Sequence, residues 1–217
     1  MSDIHSLGIQ GSIVTPSSAN YEEAIARRSG TSVLRPAYIV YPASASDVTL
    51  AVKFATSQDP PLEIAVKGGG AHPSTNASSE GGLVVDLSNF KAVKVSEDKK
   101  TVAVQGGAIW GDVYTEVAKH DVVVVGGNVW FVGVGGFITG GGYSNLSGEL
   151  GLAIDNLVEA EVVLADGKIV RCNEKDEPDL FWAIRGMYDH IFTCRNWILL
   201  AYPKVVETNS VSSLNLC

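Results

Sequence analysis

The chain has 217 residues, of which 46% are hydrophobic and 18% charged, a composition that builds a core and excludes intrinsic disorder. Its formal net charge of -8 repels phosphate backbones, which excludes nucleic acid as a natural partner. The three cysteines, Cys172, Cys194 and Cys217, match no metal or redox spacing and read as reduced thiols.

Asn20 is placed to cap a helix over Tyr21–Arg28 that Gly30 ends. Arg35-Pro36 forces extension, and Ala37–Tyr41 is a short strand closed by Pro42. Ser46 reads as the N-cap of the next helix, with Asp47 in its first turn and Val48, Ala51, Val52 and Ala55 at helical spacing. Asp59-Pro60-Pro61 stops that helix. Leu62–Val66 is then a strand that opens into Lys67–Ser74, a glycine loop at a strand's carboxyl end, where ligands bind in open α/β sheets.

Leu83–Leu87 is a further strand. Ala92–Val95 and Thr101–Gln105 form a hairpin around a charged turn, a helix spans Ile109 to Lys119, and the β-branched run Val122–Val125 is a buried strand. Gly126 to Gly151 is a long glycine-rich segment. Leu157–Ala165 and Lys168–Arg171 pair around Asp166-Gly167, and Asp176–Arg185 is helical, beginning near Asp176 or Asp179. The expected fold class is α+β, with glycine loops following strands.

The uncharged run Val122–Gly142 is long enough to suggest a membrane span, but its glycines and missing anchors argue against one. Met1–Ser6 lacks the basic start and apolar run of a secretion signal, so a cytoplasmic location is expected, with secretion following if the true start lies upstream.

Two loops carry the chemistry. The first comprises Lys67, Gly68, Gly69, Gly70, Ala71, His72, Pro73, Ser74 and Thr75. The second runs from Gly133 through Gly135, Gly136, Thr139, Gly141 and Gly142 to Tyr143. Glycines let backbone N–H groups approach a phosphate without interference from Cβ. Lys67 adds a positive charge, and the hydroxyls of Ser74, Thr75 and Thr139 are donors. Two such loops can hold one pyrophosphate between them, although glycine loops also serve as plain tight turns. Neither loop is a Walker loop or a Rossmann fingerprint. His72 is either a hydrogen-bonded loop histidine or a nucleophilic imidazole beside a cofactor.

With these residues in order, the chain resembles the FAD-linked oxidases of the vanillyl-alcohol-oxidase type, and especially the berberine-bridge-enzyme-like branch. The resemblance runs from Ser32 to Gly186. It is carried by Pro42–Val48, Val66–His72, Leu83–Ser88, Val104–Asp112, Val132–Tyr143, Gly151–Asn156, Val162–Gly167 and Pro178–Gly186. It implies a PCMH-type FAD-binding domain of two small α/β subdomains gripping an extended FAD. The pyrophosphate would lie against both glycine loops, with Asp155 and Val162 near the flavin and adenine ends. It also implies hydride removal from an alcohol, sugar or related small molecule, with oxygen as acceptor; the flavin carries the redox work.

Many relatives bond the flavin to a histidine of the first loop. Here the histidine follows Ala71, so either the loop has one extra residue and His72 is the attachment site, or Ala71 occupies that position. Gly127–Val132 holds no cysteine, which excludes a second covalent link. Residues 187–217 match nothing expected, and the apolar stretch Trp197–Tyr202 has no partner layer that the sequence names. The division expected is 1–31 as an N-terminal segment, 32–186 as the FAD-binding domain, incomplete at its C-terminus, and 187–217 as an unmatched tail. On that expectation no catalytic residue can be named, no metal is bound, and the face left open invites self-association. A non-catalytic flavin-binding remnant is the alternative.

Overall fold

A computed structural model describes residues 3–185, together with the backbone of 200–203 and 205–207. The first lobe is a four-stranded sheet. Its strands are β1 (Ser12–Val14), β2 (Tyr38–Tyr41), β3 (Ile64–Lys67) and β4 (Leu83–Asp86), in the order β1-β2-β4-β3. β4 runs parallel to both its neighbours, and β1 runs antiparallel to β2. Every residue of β4 is buried, as expected for a strand covered on both faces.

Two helices cover the faces. α1 (Tyr21–Ile25) contributes Tyr21, Ala24 and Ile25 to one apolar cluster with Val14, Ile39, Ala65 and Val84. α2 (Ala45–Thr56) buries Val48, Ala51, Val52, Phe54 and Ala55 against the other face. The cap of α2 is Ser44, whose side chain accepts the Asp47 N–H, and not Ser46. α1 is shorter than its pattern, and Asn20 makes no side-chain cap to it. β1, only three residues at a sheet edge, carried no pattern in the sequence.

The second lobe is antiparallel. β5 (Val93–Val95) and β6 (Val102–Val104) form one hairpin, and β8 (Leu157–Val163) and β9 (Ile169–Cys172) another; β7 (Val122–Val124) stands outside this sheet. α3 (Trp110–Val117) follows the first hairpin and ends in a 3-10 turn, Ala118–His120. The glycine-rich stretch is not all loop. It holds α4 (Val134–Thr139) and α5 (Ser147–Leu150). α6 (Pro178–Ile184) is entered through Glu177 at φ 51°, so neither Asp176 nor Asp179 caps it.

β10 (Leu200–Pro203) lies between β6 and β8, giving the order β5-β6-β10-β8-β9. β11 (Val205–Glu207) pairs antiparallel with β7. The end of the apolar stretch that had no named partner layer is therefore sheet. Cys194, Cys217 and His190 lie outside the described residues. No helix among the described residues is long and apolar enough to cross a membrane. The run Val122–Gly142 instead divides into β7, a turn and α4.

The lobes meet where α2 approaches the β8–β9 turn. Thr49 Oγ1 donates to Gly167 O at 2.8 Å, and Val163 of β8 joins the first lobe's core.

Candidate functional site

β3 ends at Lys67 and releases the first glycine loop. The backbone of Ile109 forms a bridge with Gly133, so the start of α3 pulls the second loop alongside the first. Trp110 N–H donates to Val132 O at 3.0 Å, and Val134 N–H to Ala108 O at 3.0 Å. The two loops then touch. A Cβ on Gly69 would lie 2.7 Å from Gly133 Cα, and one on Gly133 would lie 2.6 Å from Gly69 N. Beside the junction, Gly136 has nothing within 4 Å of where its Cβ would be. Gly70 has φ +68°, which an L side chain adopts only with strain.

The remaining second-loop residues sit at the other end of α4. Six helical residues rise about 9 Å, and they separate Gly133 from Thr139, Gly141 and Gly142. Gly141 O and Gly142 O accept the N–H groups of Ile154 and Ala153 at 3.0 and 2.9 Å. That contact gathers Gly141, Gly142 and the 3-10 turn Ala153–Asn156, Asp155 included, into a second cluster. Tyr143 projects from it, 74% exposed. The Thr139 hydroxyl donates back to Gly135 O at 3.1 Å and so is taken up inside α4.

The charges under the first loop also differ from expectation. Lys67 Nζ is 2.7 Å from Asp86 Oδ2, and the Asp86 side chain is fully buried. Lys67 therefore has a carboxylate already. Asp86 also accepts the Ser88 N–H at 3.0 Å. Burial, and then the Asp86 carboxylate, push the Tyr41 hydroxyl up to about 12. Arg27 turns inward here. Its Nη1 donates to Ala24 O and Ala26 O, while Nε and Nη2 are buried without a partner. Burial holds its pKa below the usual guanidinium range, against the pull of Asp86. His72 Nδ1 accepts the Ser74 N–H at 3.0 Å, which orients the ring. Ser74 Oγ in turn accepts the Asn76 N–H at 3.3 Å.

Asp155 is half-exposed. Its Oδ2 accepts the Leu152 N–H at 2.8 Å, and its Oδ1 is 3.9 Å from Arg185 Nη2. It also lines a hollow of about 520 Å³ with Glu159, Glu174 and Asp176. No glycine-loop residue lines that hollow, and its carboxylates disfavour a phosphate. Val162 is 1% exposed within the second core, so its backbone is all it can offer a ligand. The structure thus brings Gly69 and Gly133 into contact, with Gly68, Gly70, Gly135 and Gly136 beside them along the chain, and gathers Gly141, Gly142 and Asp155 in a second cluster. Among the described residues, no group of acidic, histidine and cysteine side chains could hold a metal ion.

The sequence reading missed Arg28. Its N–H reaches Gly70 O at 3.5 Å, and its guanidinium lies 3.5 Å over the Phe131 ring. The one signal for it was the adjacent pair Arg27-Arg28.

The family model described as an FAD binding domain matches residues 36–173. The chain is 38% identical over 176 residues to the FAD-dependent monooxygenase sdcF of Emericella nidulans, covering 80% of this chain and 37% of that protein. The structure is similar to 6-hydroxy-D-nicotine oxidase from Arthrobacter nicotinovorans, with a TM-score of 0.84 and 31% identity over 93% of this chain and 43% of that one. It is also similar to glucooligosaccharide oxidase from Acremonium strictum, a protein with a 6-S-cysteinyl, 8α-N1-histidyl FAD. There the TM-score is 0.79 and identity 28%, covering 89% of this chain and 40% of that one. The chain spans about two fifths of the length of these relatives.

Proposed function

The chain belongs to the family of FAD binding domains, whose model matches residues 36–173, and on that premise we propose that it grips an elongated FAD in an oxidoreductase acting on an alcohol, sugar or related small molecule. The observation that carries this reading is the backbone contact between Gly69 and Gly133. A junction where a Cβ on either Gly69 or Gly133 would collide, beside the open space at Gly136, suits a diphosphate, which needs N–H groups and no side chains. The second cluster, at the far end of α4, gives an elongated ligand another place to rest.

In this reading Gly68, Gly69, Gly70, Gly133, Gly135 and Gly136 hold the diphosphate. Ala71, His72 and Ser74 continue the wall of the first loop. Lys67, tied to Asp86, fixes where that loop leaves β3. Gly141, Gly142 and Asp155 border the remainder, and Val162 contributes backbone alone. Bound FAD would supply hydride acceptance, with oxygen as the acceptor in turn. The chain's own residues orient the cofactor and exclude water from the junction. The imidazole of His72, held by the Ser74 N–H, is the candidate for a covalent link.

The test is a visible absorption spectrum of the purified chain before and after acid precipitation. A flavin band that stays with the precipitate and disappears in His72→Ala is the result expected for a covalent link. A band that washes away assigns binding without a bond. No band, even after incubation with FAD, overturns the proposal.

A further inference from the structure

A diphosphate between the two loops calls for positive charge, and the expected source, Lys67, is paired with a fully buried carboxylate. Arg27 cannot supply it either, because its unpartnered nitrogens are closed off from solvent. Arg28 points the other way. It is exposed, and among the described residues no carboxylate forms an ion pair with it. Its backbone N–H is bonded to Gly70 O at 3.5 Å, next to Gly69. Its guanidinium lies 3.5 Å over the ring of Phe131, two residues before Gly133. Arg28 therefore touches the first loop through its backbone, one residue after Gly69, and the segment leading into the second loop through its side chain, two residues before Gly133.

A guanidinium resting on an aromatic face keeps its N–H edge available in the plane, and that fork matches two phosphate oxygens. Thr31 Oγ1 donates to Pro73 O at 2.7 Å, which fastens the same segment to the first loop again and fixes where the arginine starts from. We propose that Arg28 is the residue that binds the cofactor's diphosphate at the loop junction, with Phe131 as its support. This assignment rests on the reading of the cradle as an FAD site.

The experiment measures the affinity of the chain for FAD and for riboflavin, which lacks phosphate, at low and high salt. Wild type, Arg28→Gln and Arg28→Lys are compared. Losing one bidentate charged contact should weaken FAD about tenfold, and the glutamine variant should lose part of the salt dependence. Riboflavin affinity should not change. Arg28→Lys keeps the charge without the fork, so it should hold the salt dependence and fall between the other two. Should the glutamine variant fail to fold, the lysine variant decides by the same comparison. Wild-type FAD affinity and salt dependence in Arg28→Gln overturn the assignment. So does an equal loss for riboflavin and FAD in either variant, which marks the arginine as a structural staple. A wild-type chain without FAD affinity overturns the cradle reading and this assignment together.

Discussion

Gly69 and Gly133 meet backbone to backbone, with each one's missing Cβ position under 3.0 Å from the other's main chain. Neither has a positive φ, so contact, and not conformation, demands glycine at both. Gly69→Ala or Gly133→Ala should part the loops, cost about 1–3 kcal/mol of stability and reduce FAD retention. Gly136→Ala should behave differently. Its Cβ meets nothing, and removing a glycine from helix α4 favours the fold by up to about 1 kcal/mol. In the proposed cradle, however, the added methyl takes space that the cofactor needs. A melting midpoint at or above wild type combined with weaker FAD binding is the outcome expected.

The pair Lys67–Asp86 predicts a large loss from a single truncation. Removing one partner of a buried ion pair costs about 3–5 kcal/mol, and Asp86→Ala also leaves Arg27 without its nearby carboxylate. Chemical denaturation should show a loss of that order. The double variant Asp86→Ala/Lys67→Met should recover part of it, but not all, because Arg27 remains inside.

Asp47 sets an acid limit. It is 2% exposed and accepts the N–H groups of Gln10, Gly11 and Ala43 at 3.0, 2.9 and 2.8 Å. Burial raises its pKa, but these donors together with Ser44 outweigh burial and hold it below the ordinary carboxylate range. The folded pKa is the lower one. The stabilisation is therefore complete above the unfolded value of about 3.9 and is lost as pH falls through the folded value. Asp47→Asn should lose about 2–3 kcal/mol at neutral pH. Its unfolding free energy should also change less than wild type between about pH 5 and pH 3.

Cys172 should be inert in the native protein. Burial pushes its thiol up to about 11, and neighbouring Glu159 and Glu177 add to the effect. Alkylation at mildly alkaline pH followed by peptide mass mapping should leave Cys172 unlabelled until denaturant is added. Labelling under native conditions would show that the strand carrying it opens readily.

Much of the first lobe was legible because β2, β3 and β4 carry β-branched runs ended by Pro, Gly or Asp, and α2 carries a clean apolar period. α4 was not legible. Four of the eight residues from Gly133 to Gly140 are glycine, and Val134–Thr139 is helical only because Val134 and Ile138 bury one face in a core with Trp110, and Phe137 packs against that indole at 5.2 Å. Tertiary contact there overrides the low helix propensity of glycine. Ser44 and Ser46 are equally good caps on paper, and only the chain's direction decides which side chain meets the Asp47 N–H. The glycine loops were legible as two candidates. That they touch depends on the Ile109–Gly133 bridge, a long-range pairing with no local signature. Lys67 stood out as a cation in a glycine loop, but its partner Asp86 lies on a neighbouring strand, in register with it.

The place of β10 in the second sheet has a kinetic consequence. β6 and β8 do not pair with each other; each pairs with β10, which among the described residues is the last strand of that sheet in chain order. As the chain leaves the ribosome, the first sheet has all its strands once Asp86 has emerged, whereas the second exists as two separate hairpins. Until Leu200–Pro203 arrives, the edges of β6 and β8 stay open to any other strand nearby. The risk of misassembly therefore persists until Leu200–Pro203 has emerged, and it falls on the lobe that carries α4 and Gly133.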